Sequence, residues 1–224
     1  MEDFPRLAKH QLRTPLTLIR GYLSFMESGD FQKFPAEKQK EIIAKMAAES
    51  EKLNLLINDV FLSLQIEKGL TTKPEPIKLK KLIEDIHNQT LKPNYDKKNL
   101  VLDIKDDSQI EINSDTFYLT IVLQKILDNA EKYSLSGQVD INISKKDNYA
   151  IIEIKDSGIG LTDEEKPKIF HRFFRGLKAK EIWPDGSGLG LEIIKGIIKT
   201  LDGEISAESE GRDKGTKFII KLPI

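Results

Sequence analysis

Apolar residues recur at heptad spacing over the first part of the chain. Leu12, Leu16, Ile19, Leu23 and Met26 are spaced 4, 3, 4, 3, the seam of an amphipathic helix. Ser28-Gly29-Asp30 interrupts that seam with a helix-stopping glycine. A second helix is expected from near Pro35, since proline suits a first turn, with its seam at Ile42, Met46, Leu53, Ile57, Val60 and Leu64 and its end before Gly69. Two helices joined by a short turn must be antiparallel neighbours. A lone hairpin carries its seam on one side of each helix and cannot enclose a core. Two hairpins paired into a four-helix bundle solve that, which predicts a homodimer through residues 1–68.

Residues 70–77, Leu-Thr-Thr-Lys-Pro-Glu-Pro-Ile, read as a linker, because two prolines forbid helix continuation. After it the pattern changes to mixed α/β. Leu79 to about Leu91 is helical, with Leu79, Leu82, Ile83 and Ile86 on one face, and Leu100, Leu102 and Ile104 alternate as a strand. Thr116 to Tyr133 is a helix, apolar at Leu119, Val122, Leu123, Ile126 and Ala130. Val139, Ile141 and Ile143 alternate before Lys-Lys-Asp-Asn and Ile152 and Ile154 after it, a hairpin signal. A helix over 191–201 buries Ile193, Ile194, Ile197 and Ile198 and is capped by Gly203. Ile205-Ala207 and Phe218-Ile220-Leu222 form a last hairpin around Gly211 to Gly215. The expected fold is therefore multi-domain, α then α+β. A helical hairpin covers 1–69, a linker 70–77, and a sandwich of a mixed sheet with helices on one face covers 78–224.

Composition narrows the partners. The chain has 224 residues, 35 basic against 36 acidic, and residues 1–72 are as evenly mixed as the rest. A nucleic-acid binder running on a basic field is excluded on that balance. With no cysteine there is no disulfide framework, thiolate metal site or thiol nucleophile. No apolar run approaches the roughly 20 residues of a membrane helix, so a soluble, cytoplasmic chain is expected.

His10 lies two residues before Leu12, about 200° around the helix from that seam residue. Its imidazole should face solvent, within reach of another protein. A histidine with the ordinary pKa near 6.5 carries a free lone pair at neutral pH and is a usable nucleophile. An exposed helical histidine is common, and its neighbourhood is what singles this one out. Pro15 stands inside an otherwise unbroken heptad, where it removes a backbone hydrogen bond at a cost of about 3 kcal/mol and invites a kink beside His10. The stretch His10-Gln11-Leu12-Arg13-Thr14-Pro15-Leu16 resembles the H-box of the sensor histidine kinases, with Phe4 where that family places an aromatic residue. The resemblance implies that His10 is the phosphorylated residue and that residues 1–69 are the dimerisation and phosphotransfer domain. It departs at Gln11, where the family usually has a carboxylate that orients the ring and takes its proton. An amide can hydrogen-bond the imidazole but cannot serve as a general base near neutral pH. Thr14 matches the position that family members use to align water for phosphatase activity; a plain surface threonine is its other reading.

Four further motifs follow in order. Asp128-Asn129-Ala130-Glu131-Lys132-Tyr133 closes a helix with Asn129, Lys132 and Tyr133 on one face. An amide oxygen suits Mg²⁺, a lysine suits phosphate and a tyrosine ring can cover a base. Asp156-Ser157-Gly158-Ile159-Gly160 follows a strand, and Phe170-His171-Arg172-Phe173-Phe174-Arg175 comes next. Gly186-Ser187-Gly188-Leu189-Gly190-Leu191 leads straight into a helix whose N-terminal amides attract phosphate. A glycine run alone is more often a tight turn, and this one matches neither a P-loop nor a dinucleotide fingerprint.

The ordered set resembles the N, G1, F and G2 boxes of the histidine-kinase catalytic domain, a Bergerat-type ATP fold, with Gly215-Thr216-Lys217-Phe218 resembling its G3 element. The resemblance implies ATP and Mg²⁺ as cofactors and a role for each matching residue. Asn129 would ligate Mg²⁺, Lys132 would meet phosphate and Tyr133 would stack near adenine. Asp156 would bond the adenine amino group, Gly158 and Gly160 would line the base pocket, and Thr216 would lie on the adenine side. Arg172 and Arg175 would approach the phosphates, with Gly186, Gly188, Leu189 and Gly190 carrying the backbone beneath them. Gly176 to Asp185 corresponds to a mobile ATP lid, where Lys178 and Lys180 either add charge or are solvated surface lysines. Lys125 stands where the N-box usually begins with another asparagine, and His171 where a glutamate is common.

What the resemblance implies is an ATP-dependent protein-histidine kinase core. It would autophosphorylate His10 and pass the phosphoryl group to an aspartate of a response-regulator receiver domain docked near His10 and residues 53–64. Two alternatives stay open. One is an ATP-binding phosphatase or nucleotide-gated switch whose kinase step Gln11 has weakened; the other is a dimeric scaffold with a relic pocket. With nine residues before His10, a signal would enter through a longer receptor or a separate input protein, and a membrane would be met only through such a preceding sensor region.

Overall fold

The computed structural model describes residues 3–90, 101–106 and 109–224. It divides into two compact units, 1–64 and 65–224.

The first unit is a helical hairpin. Helix α1 runs Asp3–Glu27 and continues through Pro15, which is buried. Gly29, at φ +80°, ends it, and a single 3-10 turn at Phe31–Lys33 leads to α2, Ala36–Lys68. Phe31 is buried in that turn and meets Phe25 edge-on, with ring centroids 6.5 Å apart. On α1 the seam residues Leu12, Ile19 and Met26 are half-buried, while Leu16 and Leu23 remain exposed in the single chain. On α2 the covered stripe runs Ile42, Met46, Glu49, Leu53, Leu56, Val60 and Ser63, a strict heptad. Apolar spacing points to Ile57 and Leu64 in that seam in place of Leu56 and Ser63. Both are half-buried neighbours, and the polar Glu49 and Ser63 obscure the true register.

The second unit begins with the last turn of α2, from Gln65, which carries Glu67; β1, Glu75–Lys78, then pairs antiparallel with β3, Glu111–Ser114, as a small separate sheet. Part of the segment read as linker is thus a strand. Two-stranded pairing leaves each strand an edge, where prolines are tolerated, and Pro76 sits opposite Asn113. Between them lie α3, Leu79–Thr90, and β2, Val101–Asp106. Leu91 and Leu100, expected at a helix end and in a strand, lie outside the described residues.

Helix α4, Thr116–Tyr133, is capped by Asp115, whose side chain accepts from the Tyr118 N–H at 3.0 Å. It leads directly into β4, Ser134–Lys146, which turns at Asp147 into β5, Tyr149–Gly158. After a short helix α5, Leu177–Ile182, comes α6, Gly190–Thr200, then β6, Glu204–Glu208, and β7, Lys217–Pro223. The main sheet has the order β2-β4-β5-β7-β6, parallel only between β2 and β4. Its inner face is set by strict alternation, with Val139, Ile141, Ile143, Ile152, Ile154 and Ile220 at most 1% exposed. Against it lie Leu119, Val122, Leu123 and Ile126 of α4 and the four isoleucines 193, 194, 197 and 198 of α6, equally buried. Each such side chain contributes roughly 1.5–3 kcal/mol by leaving water. Among the described residues no helix is long and apolar enough to cross a membrane.

Candidate functional site

On the hairpin, His10 is exposed on α1, as the offset from Leu12 requires, with Thr14 exposed one turn later. Gln11 is half-buried beside them. His10 and Thr14 therefore share a surface of α1 that α2 does not cover.

In the second unit the end of α4, the end of β5 and the loop before β7 converge. Asp156 is 8% exposed. Its Oδ1 accepts from the Gly158 N–H at 2.8 Å and the Thr216 N–H at 3.1 Å, and its own N–H donates to the Thr216 carbonyl at 2.9 Å. Burial raises the Asp156 carboxyl above the usual range, partly opposed by those two backbone donors. Both of these side-chain bonds fall on Oδ1, so Oδ2 is left for a ligand donor. Thr216 is equally buried.

Glycines make this convergence possible. Gly160, at φ +62°, lies so close to the Gly211 carbonyl that a Cβ would collide with it. Gly215, at φ +72°, stands in the same relation to the Asp156 carbonyl. A Cβ on Gly158 would lie 2.5 Å from the Tyr133 carbonyl, which also accepts from the Ile159 N–H at 3.2 Å. Ser134 and Ser157 share a hydroxyl–hydroxyl bond of 2.9 Å beside it. The backbones of Tyr133 and Gly158 and the Asp156 carboxylate with Thr216 are therefore brought together, with Gly160 two residues beyond Gly158.

Asn129, Lys132 and Tyr133 are half-buried on the last turns of α4. The Lys132 ammonium stands 5.6 Å from the ring centroid of Trp183, at the C-terminal end of α5. Trp183 is the chain's single tryptophan, and the motifs give it no role beyond its place in the 176–185 segment.

The glycine-rich turn lies against the Phe170–Arg175 segment. Gly188, at φ +71°, packs on the Phe173 backbone, and its carbonyl accepts from the Phe173 N–H at 2.9 Å. Leu189 is fully buried and starts α6, while a Cβ on Gly190 would meet nothing within 4 Å. There is therefore room beside Gly190 at the start of α6.

Both arginines expected at the phosphates are engaged with protein acceptors. Arg172 donates to Glu192 at 3.0 Å and to Glu67 at 2.5 Å. Burial works against its charge, but the two carboxylates more than offset this and hold its pKa above the ordinary value. Arg175 donates to the carbonyls of Pro184 at 2.7 Å, Ala179 at 2.9 Å and Gly186 at 3.1 Å, and also to that of Trp183. It thereby fastens the C-terminal end of α5, and Gly186 packs directly on its guanidinium. Lys178 pairs with Asp213, so this lysine is not simply solvated, while Lys180 is exposed.

Residues 2–69 match the His Kinase A (phospho-acceptor) domain, and residues 114–224 match the histidine kinase-, DNA gyrase B- and HSP90-like ATPase domain. The chain belongs to the sensor histidine kinases, of which it carries both catalytic-core domains. It is 31% identical over 236 residues to the sensor protein SrrB of Staphylococcus aureus, a match covering 99% of this chain and 38% of that protein. The chain thus spans well under half the length of the curated relatives it matches. Among solved structures it is similar to the histidine kinase AdeS of Acinetobacter baumannii, with a TM-score of 0.77 and 26% identity over 96% of this chain and 97% of that one. The histidine kinase ThkA, solved in complex with the response regulator protein TrrA, shares the fold, with a TM-score of 0.72 and 21% identity over 96% of this chain and 59% of that one.

Proposed function

We propose that this chain is an ATP-dependent protein-histidine kinase core that works in the cytoplasm as a homodimer through residues 1–68. The single observation that carries the reading is the buried Asp156 carboxylate, braced by Gly158 and Thr216 with one oxygen uncommitted, in a chain whose other unit exposes His10. An acceptor in such a pocket selects a donor such as the adenine amino group. Gly158, Gly160, Thr216 and Tyr133 would enclose the base, and Lys132 and the open start of α6 would meet the phosphates. To touch phosphate, Arg172 and Arg175 would exchange their present acceptors for phosphate oxygens.

Mg²⁺ fits the donor chemistry through Asn129, a half-buried neutral amide on the last turns of α4. Among the described residues no group of three His, Asp or Glu could hold an ion, so phosphate oxygens and water would complete its shell. When bound, magnesium offsets phosphate charge.

In the transfer, the lone pair of one imidazole nitrogen of His10 attacks the γ-phosphorus. A P–N bond forms, the P–O bond to the β-phosphate breaks, and ADP departs with that electron pair. The ring then gives up its other N–H proton to water or a phosphate oxygen, because Gln11 offers no basic group. The phosphoramidate passes its phosphoryl group to an aspartate carboxylate of a receiver domain. The complex that ThkA forms with the response regulator protein TrrA supports a response regulator as that partner.

The test is incubation with γ-labelled ATP. Acid-labile label on the wild type, lost in His10→Ala, is the expected result. No label with accelerated dephosphorylation of a regulator would replace this reading with the phosphatase one. No nucleotide binding would leave a scaffold.

A further inference from the structure

Outside the motifs, one buried charge has no assigned use. Glu165 is 8% exposed, in the turn that follows Gly160. A carboxylate withdrawn from water is costly unless it is paired. Its Oε2 accepts from the Thr162 N–H at 3.1 Å, and its Oε1 accepts from Arg212 at 2.9 Å. The same Oε1 lies against the α-carbon of Gly176, where any Cβ would collide with it. Gly176 is the residue at which the chain enters α5, and its carbonyl accepts from the Lys180 N–H at 3.1 Å.

Arg212 belongs to the loop over 209–215 that is bonded to the backbone next to Asp156. The Asp213 N–H donates to the Ile159 carbonyl at 2.9 Å, the Gly215 N–H donates to the Gly158 carbonyl at 3.0 Å, and the Ser209 hydroxyl donates to the Gly215 carbonyl at 2.7 Å. The loop is therefore fixed to the pocket floor. From it a second ion pair, Asp213 with Lys178, reaches the first turn of α5. That pair is more exposed than the Glu165–Arg212 pair and so counts for less.

We infer that Glu165 is a positioning residue of the lid: with Arg212 it holds Gly176, and hence the start of α5, against the pocket floor. The far end of α5 is held by Arg175, so both ends of the lid are anchored by charged side chains. Rigid placement lowers the ordering cost that nucleotide binding must meet. The inference rests on the reading that this pocket takes ATP, and the chain supplies its own probe, since Trp183 lies on the lid.

The experiment uses Glu165→Gln, which keeps an oxygen for Thr162 and a similar shape beside Gly176 but removes the charge facing Arg212. Without nucleotide, Trp183 should become more accessible to acrylamide quenching while far-UV circular dichroism is unchanged. The KM for ATP should rise roughly tenfold, within the range of coupling seen between contacting partners, with kcat changed less than about twofold. Arg212→Gln should do the same, the double variant should be no worse than either single one, and Arg212→Lys should restore most of the loss. Unchanged quenching, additive effects of the two variants, or a fall in kcat with KM constant would overturn the inference. Should Glu165→Gln fail to fold, Arg212→Gln, at a one-third-exposed side chain, carries the same comparison. If the wild type bound no ATP, the proposed function would fall, while nucleotide-free quenching would still decide whether Glu165 holds the lid.

Discussion

Asp156 and Thr216 are joined by two hydrogen bonds across 60 residues of sequence: the Thr216 N–H donates to the Asp156 side chain and the Asp156 N–H donates to the Thr216 carbonyl. This exchange fixes the carboxylate against the Thr216 backbone and leaves its other oxygen outside these bonds.

Adenine-nucleotide affinity should therefore depend on pH in an unusual window. The bound-state acceptor must be ionised, and burial raises the Asp156 carboxyl, so affinity should fall on acidification at a higher pH than an ordinary aspartate would give. For stability the sign is opposite. The folded chain holds this proton more tightly than the unfolded one, so the contribution is full below the unfolded pKa and is lost as pH rises through the folded value. Asp156→Asn should abolish nucleotide binding and remove that pH-dependent contribution without lowering the neutral-pH melting temperature. Fluorescence titrations and thermal melts over a pH series check both.

Asn129→Ala should reduce labelling of His10 by on the order of 100-fold, the scale of losing one contact that stabilises transferring charge. The residue is half-buried near the end of α4, so the melting temperature should stay near that of wild type. Differential scanning calorimetry beside the labelled-ATP assay separates the two effects.

Gly160→Ala should cost at least about 2 kcal/mol, since the residue sits at φ +62° and a Cβ would strike the Gly211 carbonyl. Urea unfolding of the purified variant gives the figure. A loss below about 0.5 kcal/mol, the scale of an ordinary surface substitution, would mean that the loop yields freely.

Gln11→Glu places a carboxylate beside His10, the nucleophile of the proposed function. Autophosphorylation should rise on the order of tenfold, less than a full general-base contribution because water or phosphate oxygen already accepts the proton. Initial rates of label uptake decide it.

Leu16 and Leu23 are 48% and 46% exposed in the single hairpin. If a second copy covers them, Leu23→Glu should convert a dimer into a monomer by sedimentation equilibrium, with the second unit's nucleotide affinity unchanged. A monomeric wild type would refute the paired-hairpin reading.

Regular periodicity makes most of the fold legible. The span of α4, the hairpin around Asp147 and the four buried isoleucines of α6 all follow from apolar spacing and turn residues. Mixed signals hide the rest. Glu49 and Ser63 occupy seam positions of α2, so apolarity alone shifts the register to Ile57 and Leu64. Pro74 and Pro76 mask β1, whose partner β3 is only four residues long. Sequence motifs name Asp156, the glycines and Thr216, but spacing carries no information about which loop closes on which. Arg172 and Arg175 show the limit: their charge is evident, yet their present partners are carboxylates and carbonyls supplied by Glu67, Glu192 and the lid. Glu165 has no motif to announce it, since its role comes from a contact with a residue in a different loop.

The strand order carries a consequence for how the protein comes into being. β7 is inserted between β5 and β6, and it follows directly on the loop that braces Asp156. A nascent polypeptide halted anywhere before residue 217 would lack an interior strand of its sheet, the one that joins β5 to β6. On the proposed function, a chain truncated there would be unable to take up nucleotide, because the loop that braces Asp156 would have no strand to lead into.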